Sequence, residues 1–148
     1  MRCTNEHFIK KIKNKGVLEN QERILKYIQD NPGLTQAQIT YRLDIPQSTA
    51  KYHLLTLQKE GKIFSEKLFK THYFPNGIGN ELKIESCIKN NNNLKIVFES
   101  CKKETSLEEI AKSCNISKSM ASRRLQVLES LGAIKKVKVK KKIKFSKN

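Results

Sequence analysis

The feature that most constrains this 148-residue chain is that it repeats itself at a fixed offset of 71 positions. Residues 35–74 align without a gap on residues 106–145, and the matches fall on residue types that build cores and turns. Ile39 falls on Ile110, Ile45 on Ile116, Ser48 on Ser119, Ala50 on Ala121, Leu54 on Leu125 and Leu57 on Leu128. Gly61 falls on Gly132, Ile63 on Ile134 and Phe74 on Phe145. Upstream the register slips by one, so that Ile24, Leu25 and Ile28 sit over Ile96, Val97 and Ser100. The shorter connection KKET, against DNPGLT, accounts for the slip. A two-fold repeat of this length reads as two small domains of one kind.

Each copy can be read locally. Ile24, Leu25 and Ile28 recur at helical spacing, and Asn31-Pro32-Gly33 ends that helix. Thr35 with Gln38, and Ser106 with Glu109, form the S/T-x-x-E/Q pattern of a capping box ahead of Ile39 and Ile110. Short turns follow, LDIPQ and CNISK, each with one core-type isoleucine. A third helix is expected from about Gln47 to Glu60 and from about Lys118 to Leu131. The spacing of Ala50, Leu54 and Leu57, like that of Ala121, Leu125 and Leu128, keeps one apolar face. Gly61 and Gly132 stop these helices. The period then changes from helical to alternating. Val137, Val139, Ile143 and Phe145 occupy odd positions, while Lys136, Lys138, Lys140, Lys142 and Lys144 occupy even ones. That predicts a hairpin with one wet, lysine-bearing face and a turn near Lys140–Lys142. The matching stretch KIFSEKLFKTHYF alternates less cleanly, with a turn expected near Ser65–Phe69.

The order helix, capped helix, turn, helix, glycine, hairpin is that of a winged helix-turn-helix. The strings IPQSTAKYHLLTLQKEGKI and ISKSMASRRLQVLESLGAI resemble the recognition-helix signature of ArsR/MarR-type transcriptional regulators. The first carries it as Ser48, Thr49, Ala50, His53, Leu54, Leu57 and Gly61, the second as Ser119, Ala121, Ser122, Arg124, Leu125, Leu128 and Gly132. The tandem arrangement is similar to small two-domain regulators found mainly in archaea. The resemblance covers about Gln21–Phe74 and Leu94–Phe145 and implies a mainly α fold with small β-hairpin wings. With the flanking segments read from their own residues, the chain is expected to divide into an N-terminal helix at 1–19, a winged helix domain at 20–76, a linker helix at 77–93 and a second winged helix domain at 94–148.

Charge points to the partner. The chain carries 30 Lys and Arg against 14 Asp and Glu, a formal charge of +16. Such a surplus resists compaction unless an anion is near, which nominates nucleic acid first and an anionic membrane second. Thermophile-type bias raises Glu with Lys, and here it does not. The surplus is also local. Residues 133–148 hold eight lysines and no acid, whereas residues 1–75 carry 13 basic and 7 acidic residues, a net +6. No apolar run approaches the ~18 residues of a membrane span, and the N-terminal sequence has no apolar signal-like core. The four cysteines (Cys3, Cys87, Cys101 and Cys114) are scattered, as in a protein with reduced thiols. A cytoplasmic, nucleoid-associated protein is expected.

In a winged helix the third helix enters the major groove and its N-terminal residues reach base edges. The resemblance therefore places double-stranded DNA against Gln47, Ser48, Thr49, Lys51 and Tyr52, with Lys59 on the same face. In the second copy the set is Lys118, Ser119, Ser122, Arg123, Arg124 and Gln126. Arg123 suits guanine, and Gln47 and Gln126 suit adenine. The serines at the helix start suit phosphate. Lys67 and Lys70 of the first wing, and Lys136, Lys138, Lys140, Lys141, Lys142 and Lys144 of the second, are expected on the backbone, supplying affinity more than sequence choice. Leu55, near the DNA-facing side, has no account in this scheme.

Other chemistries find little support. Cys3 and His7 lie one helical turn apart but make half a metal site at most. His53 reads as packed or phosphate-facing, and Cys101 and Cys114 as small core residues. No metal, no cofactor and no catalytic constellation is expected, so the chain reads as a non-enzyme. Helices through Phe8, Ile9 and Ile12, and through Leu82, Ile84 and Ile88, are expected to pack the repeats or form a homodimer. Two rival functions remain open at this level: a replication initiator with two winged helices, and an adaptor that uses one winged helix on a protein.

Overall fold

A computed structural model describes residues 19–148, and the expected helix through Phe8, Ile9 and Ile12 lies outside them, as do Cys3 and His7. The chain separates into two compact units that meet at Gly79 and Asn80. In the first unit α1 occupies residues 19–30. It is followed by β1 (Leu34–Thr35), α2 (Gln36–Leu43), α3 (Gln47–Lys59), β2 (Ile63–Leu68) and β3 (Lys70–Pro75). The second unit contains α4 (Asn80–Asn90), α5 (Asn92–Ser100), β4 (Thr105–Ser106), α6 (Leu107–Cys114), α7 (Lys118–Leu131), β5 (Ile134–Val139) and β6 (Lys142–Lys147). Each unit holds one antiparallel three-stranded sheet, ordered β1-β3-β2 and β4-β6-β5. The fold is α+β, a tandem of winged helix-turn-helix units. Among the described residues no helix is long and apolar enough to cross a membrane.

The first core gathers Ile24 and Ile28 of α1, Ile39 of α2, Leu54 and Leu57 of α3, and Ile63 and Tyr73 of the sheet. Ala50 is fully buried on the same stripe of α3. In the second unit Ile110, Ala121, Leu125, Leu128 and Ile134 are buried likewise. Units this small have room for one core, so the identity of each stripe residue matters. Both expected start signals cap their helices, the first as a complete capping box and the second through its serine alone. The Thr35 hydroxyl accepts from the Gln38 amide at 3.3 Å, while the Thr35 amide donates to the Gln38 side chain at 2.9 Å. The Ser106 hydroxyl accepts from the Glu109 amide at 3.3 Å.

Upstream, the alignment needs a correction. Ile96 is 41% exposed, and the buried residues of α5 are Leu94 and Val97, with Cys101 buried just beyond. Val97 and Cys101 therefore stand where Ile24 and Ile28 stand, a slip of two rather than one. Leu82 of α4 also turns outward, at 51% exposure, while Cys87 and Ile88 are buried.

The backbone repeats as faithfully as the side chains. Left-handed residues recur at the same offset: Gly33 with Glu104, Asp44 with Asn115, Gly61 with Gly132, and Phe69 with Lys140. Asp44 and Asn115 supply the left-handed caps of α2 and α6, where short polar side chains tolerate that conformation. At the wing tips the repeat breaks, because Lys141 (φ 68°) adds a second left-handed residue beside Lys140 (φ 49°). Thr35 pairs with His72, but Ser106 pairs with Lys144. The final strands are thus offset by 72, and Phe145 takes the place of Tyr73 rather than Phe74. The gapless alignment holds only up to the tip.

Two histidines belong to the first unit's interior. His72 is fully buried and donates from Nδ1 to the Gly33 carbonyl at 2.7 Å, tying β3 to the turn between α1 and β1. Burial holds its pKa below the ordinary 6.5, with Lys70 adding to the effect and the Gly33 bond and Glu66 opposing it. His53 is also buried, with its Nδ1 donating to the Gln21 side-chain oxygen at 3.3 Å, and burial lowers its pKa too. It is packed, not phosphate-facing. Both histidines resist protonation in the folded state, so the unfolded chain binds more protons below about 6.5. The first unit is therefore expected to lose stability as pH falls through that value. Thermal melts at about pH 7.5 and pH 5.5 should show its transition moving down, and replacing His72 by Gln should flatten the trend.

Candidate nucleic-acid interface

The surface begins with the faces that α3 and α7 do not bury. On α3, burial of Ala50, His53, Leu54 and Leu57 turns Gln47, Ser48, Lys51, Tyr52, Leu55 and Lys59 outward. Thr49 is half-buried. On α7, burial of Ala121, Leu125 and Leu128 turns out Lys118, Ser119, Arg123, Gln126 and Ser130, with Ser122 half-buried. Arg124 occupies the position of His53 and is half-buried, one guanidinium nitrogen lying 3.8 Å from the Met120 sulfur. Tyr52 is 60% exposed and meets the His53 ring edge-on at 5.3 Å. Lys118 is held loosely by Glu108, at 3.9 Å across an exposed pair.

The second hairpin differs from expectation in a way that follows from its turn. With two residues at the tip, Val139 lies opposite Lys142 and Lys138 opposite Ile143. Cross-strand partners share a face, so the odd residues of β5 share theirs with the even residues of β6. The lysines are divided: Lys136, Lys138 and Lys147 lie on one face, Lys135, Lys142 and Lys144 on the other, with Lys140 and Lys141 at the tip. The expected single lysine face is not formed, and Ile143 is 57% exposed rather than inward. Phe145 remains in the core at 7% exposure. In the first wing the strands pair symmetrically about Phe69, at the end of the expected turn region, and each strand's alternation carries through. Lys67 and Lys70 are exposed beside it.

These parts meet in the second unit. The start of α6, the outer face of α7 and the hairpin enclose a cleft of about 690 Å³. Ser122, Gln126, Lys136, Lys141, Lys142 and Lys144 all line it, together with Glu108 and Glu109. Lys138, Lys140 and Arg123 are exposed but lie outside its lining. Lys136 is paired with Glu129 at 3.5 Å, and the Lys147 ammonium sits over the Phe98 ring at 4.7 Å. Among the described residues Lys138, Lys140, Lys141, Lys142 and Lys144 make no ion pair. Cys101 is fully buried, which pushes its thiol up to about 11, and Cys114 is half-buried with its sulfur 3.1 Å from the Ser100 hydroxyl. Among the described residues no cluster of three or more His, Cys, Asp or Glu side chains could hold a metal ion.

Family comparison agrees with this geometry. Residues 18–63 match the model for winged helix-turn-helix DNA-binding domains, and residues 96–138 match the IclR helix-turn-helix domain. Each unit thus carries a stretch similar to a helix-turn-helix domain. As a relative, this winged helix-turn-helix chain is 30% identical, over 118 residues, to an uncharacterized HTH-type transcriptional regulator of Methanocaldococcus jannaschii. The match spans 79% of the chain but 30% of that relative's length. Among solved structures, ScpB from Mycobacterium tuberculosis covers 88% of the chain and is itself covered over 91%, at 10% identity and a TM-score of 0.35. That score is too low to bear on the fold.

The wing tip carries the least expected backbone of this winged helix-turn-helix chain. Positive φ at both tip residues is the pattern of a type I′ turn, which favours Asn-Gly. Lysine is disfavoured there by roughly 1–2 kcal/mol per residue. Replacing Lys140 by Asn and Lys141 by Gly is expected to raise the second unit's stability by about 1 kcal/mol. Calorimetric melts of the double variant check this.

Proposed function

We propose that the protein is a sequence-specific regulator of transcription that binds double-stranded DNA, with α3 and α7 in the major groove and the hairpins on the backbone. The observation that carries this reading is the second unit's surface. A helix face bearing Arg123, Ser122 and Gln126 borders a hairpin whose Lys138, Lys140, Lys141, Lys142 and Lys144 make no ion pair among the described residues. Unpaired ammoniums this dense are a poor core and a good counterion for phosphate. The helix face adds groups that discriminate bases: a guanidinium that fits guanine and an amide that fits adenine. Ser119 and Ser48, in the exposed first turns of α7 and α3, are assigned to phosphate. Gln47, Thr49, Lys51 and Tyr52, with Lys67 and Lys70, form the equivalent surface of the first unit. Lys118, Arg124 and Lys136 are assigned supporting backbone contacts, although Lys118 and Lys136 also have acidic neighbours of their own. Regulation is supported by the similarity to the HTH-type transcriptional regulator of M. jannaschii, and a nucleoid-associated, homodimeric state belongs to the same proposal.

The reading makes separable predictions for wing and helix. Deleting the hairpin would also remove Phe145 from the core, so the test substitutes the tip instead. Changing Lys138, Lys140, Lys141 and Lys142 to Gln is expected to weaken binding to all DNA sequences alike. It should also make the log–log salt dependence shallower by roughly 3–4, from a slope of about −5. An unchanged affinity and slope would remove the wing from the interface. Arg123→Ala is expected to cost about 1–3 kcal/mol and to relax preference at one base pair. Selection of bound sequences from random DNA at two salt concentrations reads both effects.

A further inference from the structure

The two units expose different chemistry at equivalent surface positions. On α3 the outward residues include Tyr52, 60% exposed, and Leu55, 49% exposed. On α7 the same positions, offset by 71, hold Arg123 and Gln126. The first wing's tip is Phe69, 48% exposed, where the second has Lys140. An exposed leucine in the middle of a helix face loses contact with water only when a partner covers it. Two cations say what kind of partner. Lys51 and Lys59 lie four residues before and after Leu55, one turn away on either side, and make no ion pair among the described residues. An apolar centre between free ammoniums matches a duplex groove, where phosphates flank base edges. The apolar group that base edges present in the major groove is the 5-methyl of thymine.

Resting on the DNA-binding reading above, we propose that Leu55, assisted by Tyr52, determines specificity in the first unit by packing on thymine methyl groups in the major groove. The second unit would instead read by hydrogen bonds through Arg123 and Gln126. The recognised sequence then has a thymine-rich part whose choice depends on shape and apolar contact, and a part chosen by polar pairing.

The test exploits deoxyuridine, which pairs as thymidine does but lacks the methyl. A duplex chosen by selection from random DNA is remade with deoxyuridine at each thymidine in turn, and the full chain's affinity is measured. One or two positions are expected to lose roughly four-fold each, the effect of uncovering one methyl-sized group. Leu55→Gln, which copies the second unit's residue, and Leu55→Ala should bind the thymidine duplex more weakly. Both should no longer distinguish it from the deoxyuridine one. Melting curves confirm that each variant is folded. Sequence-preferring binding that ignores every deoxyuridine would overturn this inference while leaving the function standing. Leu55 variants that keep both the affinity and the thymidine preference would also overturn it, and would mark the face as a protein-docking surface. Absence of any sequence preference would sink the functional reading and this inference together.

Discussion

Each unit depends on one narrow apolar stripe along its third helix. In α3 the stripe is Ala50, Leu54 and Leu57, in α7 it is Ala121, Leu125 and Leu128, and all six are essentially inaccessible. The alanine at the head of each stripe leaves the preceding capped helix free to cross closely. The leucines then close the core against the first helix and the sheet. Burying this stripe commits the opposite side of the helix to solvent, since a helix of 13 or 14 residues has only two sides to offer. The candidate interface is therefore a by-product of how the core is closed. Truncating Leu54 or Leu125 would disturb that surface through the core, which separates a packing defect from a loss of contact.

Much of this was legible in sequence because the repeat supplied a second reading of every ambiguous signal. The capping pattern at Thr35, the stripe on α3 and the glycine stop at Gly61 each recur one repeat later; the structure forms both stripes and both stops, and closes the capping box in full at Thr35 but only its serine half at Ser106. What escaped was register. The outward turn of Ile96 could not be foreseen because Ile96 and Val97 are adjacent apolar residues, and only packing decides which is inward. The split lysine faces escaped for a different reason. Alternation in sequence predicts a face only within one strand, and the turn decides whether it carries over to the next. Lysine at two left-handed positions gave no turn signal. The left-handed Asp44 and Asn115 had a signal, a short polar residue after the last apolar position of each helix.

The two units also divide their polar interiors unequally. The first buries two histidines, each hydrogen-bonded, whereas the second buries two cysteines, Cys87 and Cys101, and places an arginine where His53 would be. A neutral imidazole inside a small core makes the first unit the more acid-sensitive of the pair. The second unit carries its charges on a projecting hairpin, so its sensitivity is to ionic strength instead.

The extra residue at the second wing tip has a consequence for how a duplicated module diverges. The tip takes up the extra residue, so the last strand keeps its pairing while each position in it passes to the next residue along the sequence: Phe145 fills the place of Tyr73, and Lys144 that of His72. The last strand after Lys141 keeps Phe145 as its core anchor while presenting a different set of neighbours to the outside. One residue more in a turn is therefore enough to give two copies of one module different outer surfaces, with the helices that hold each unit together unchanged.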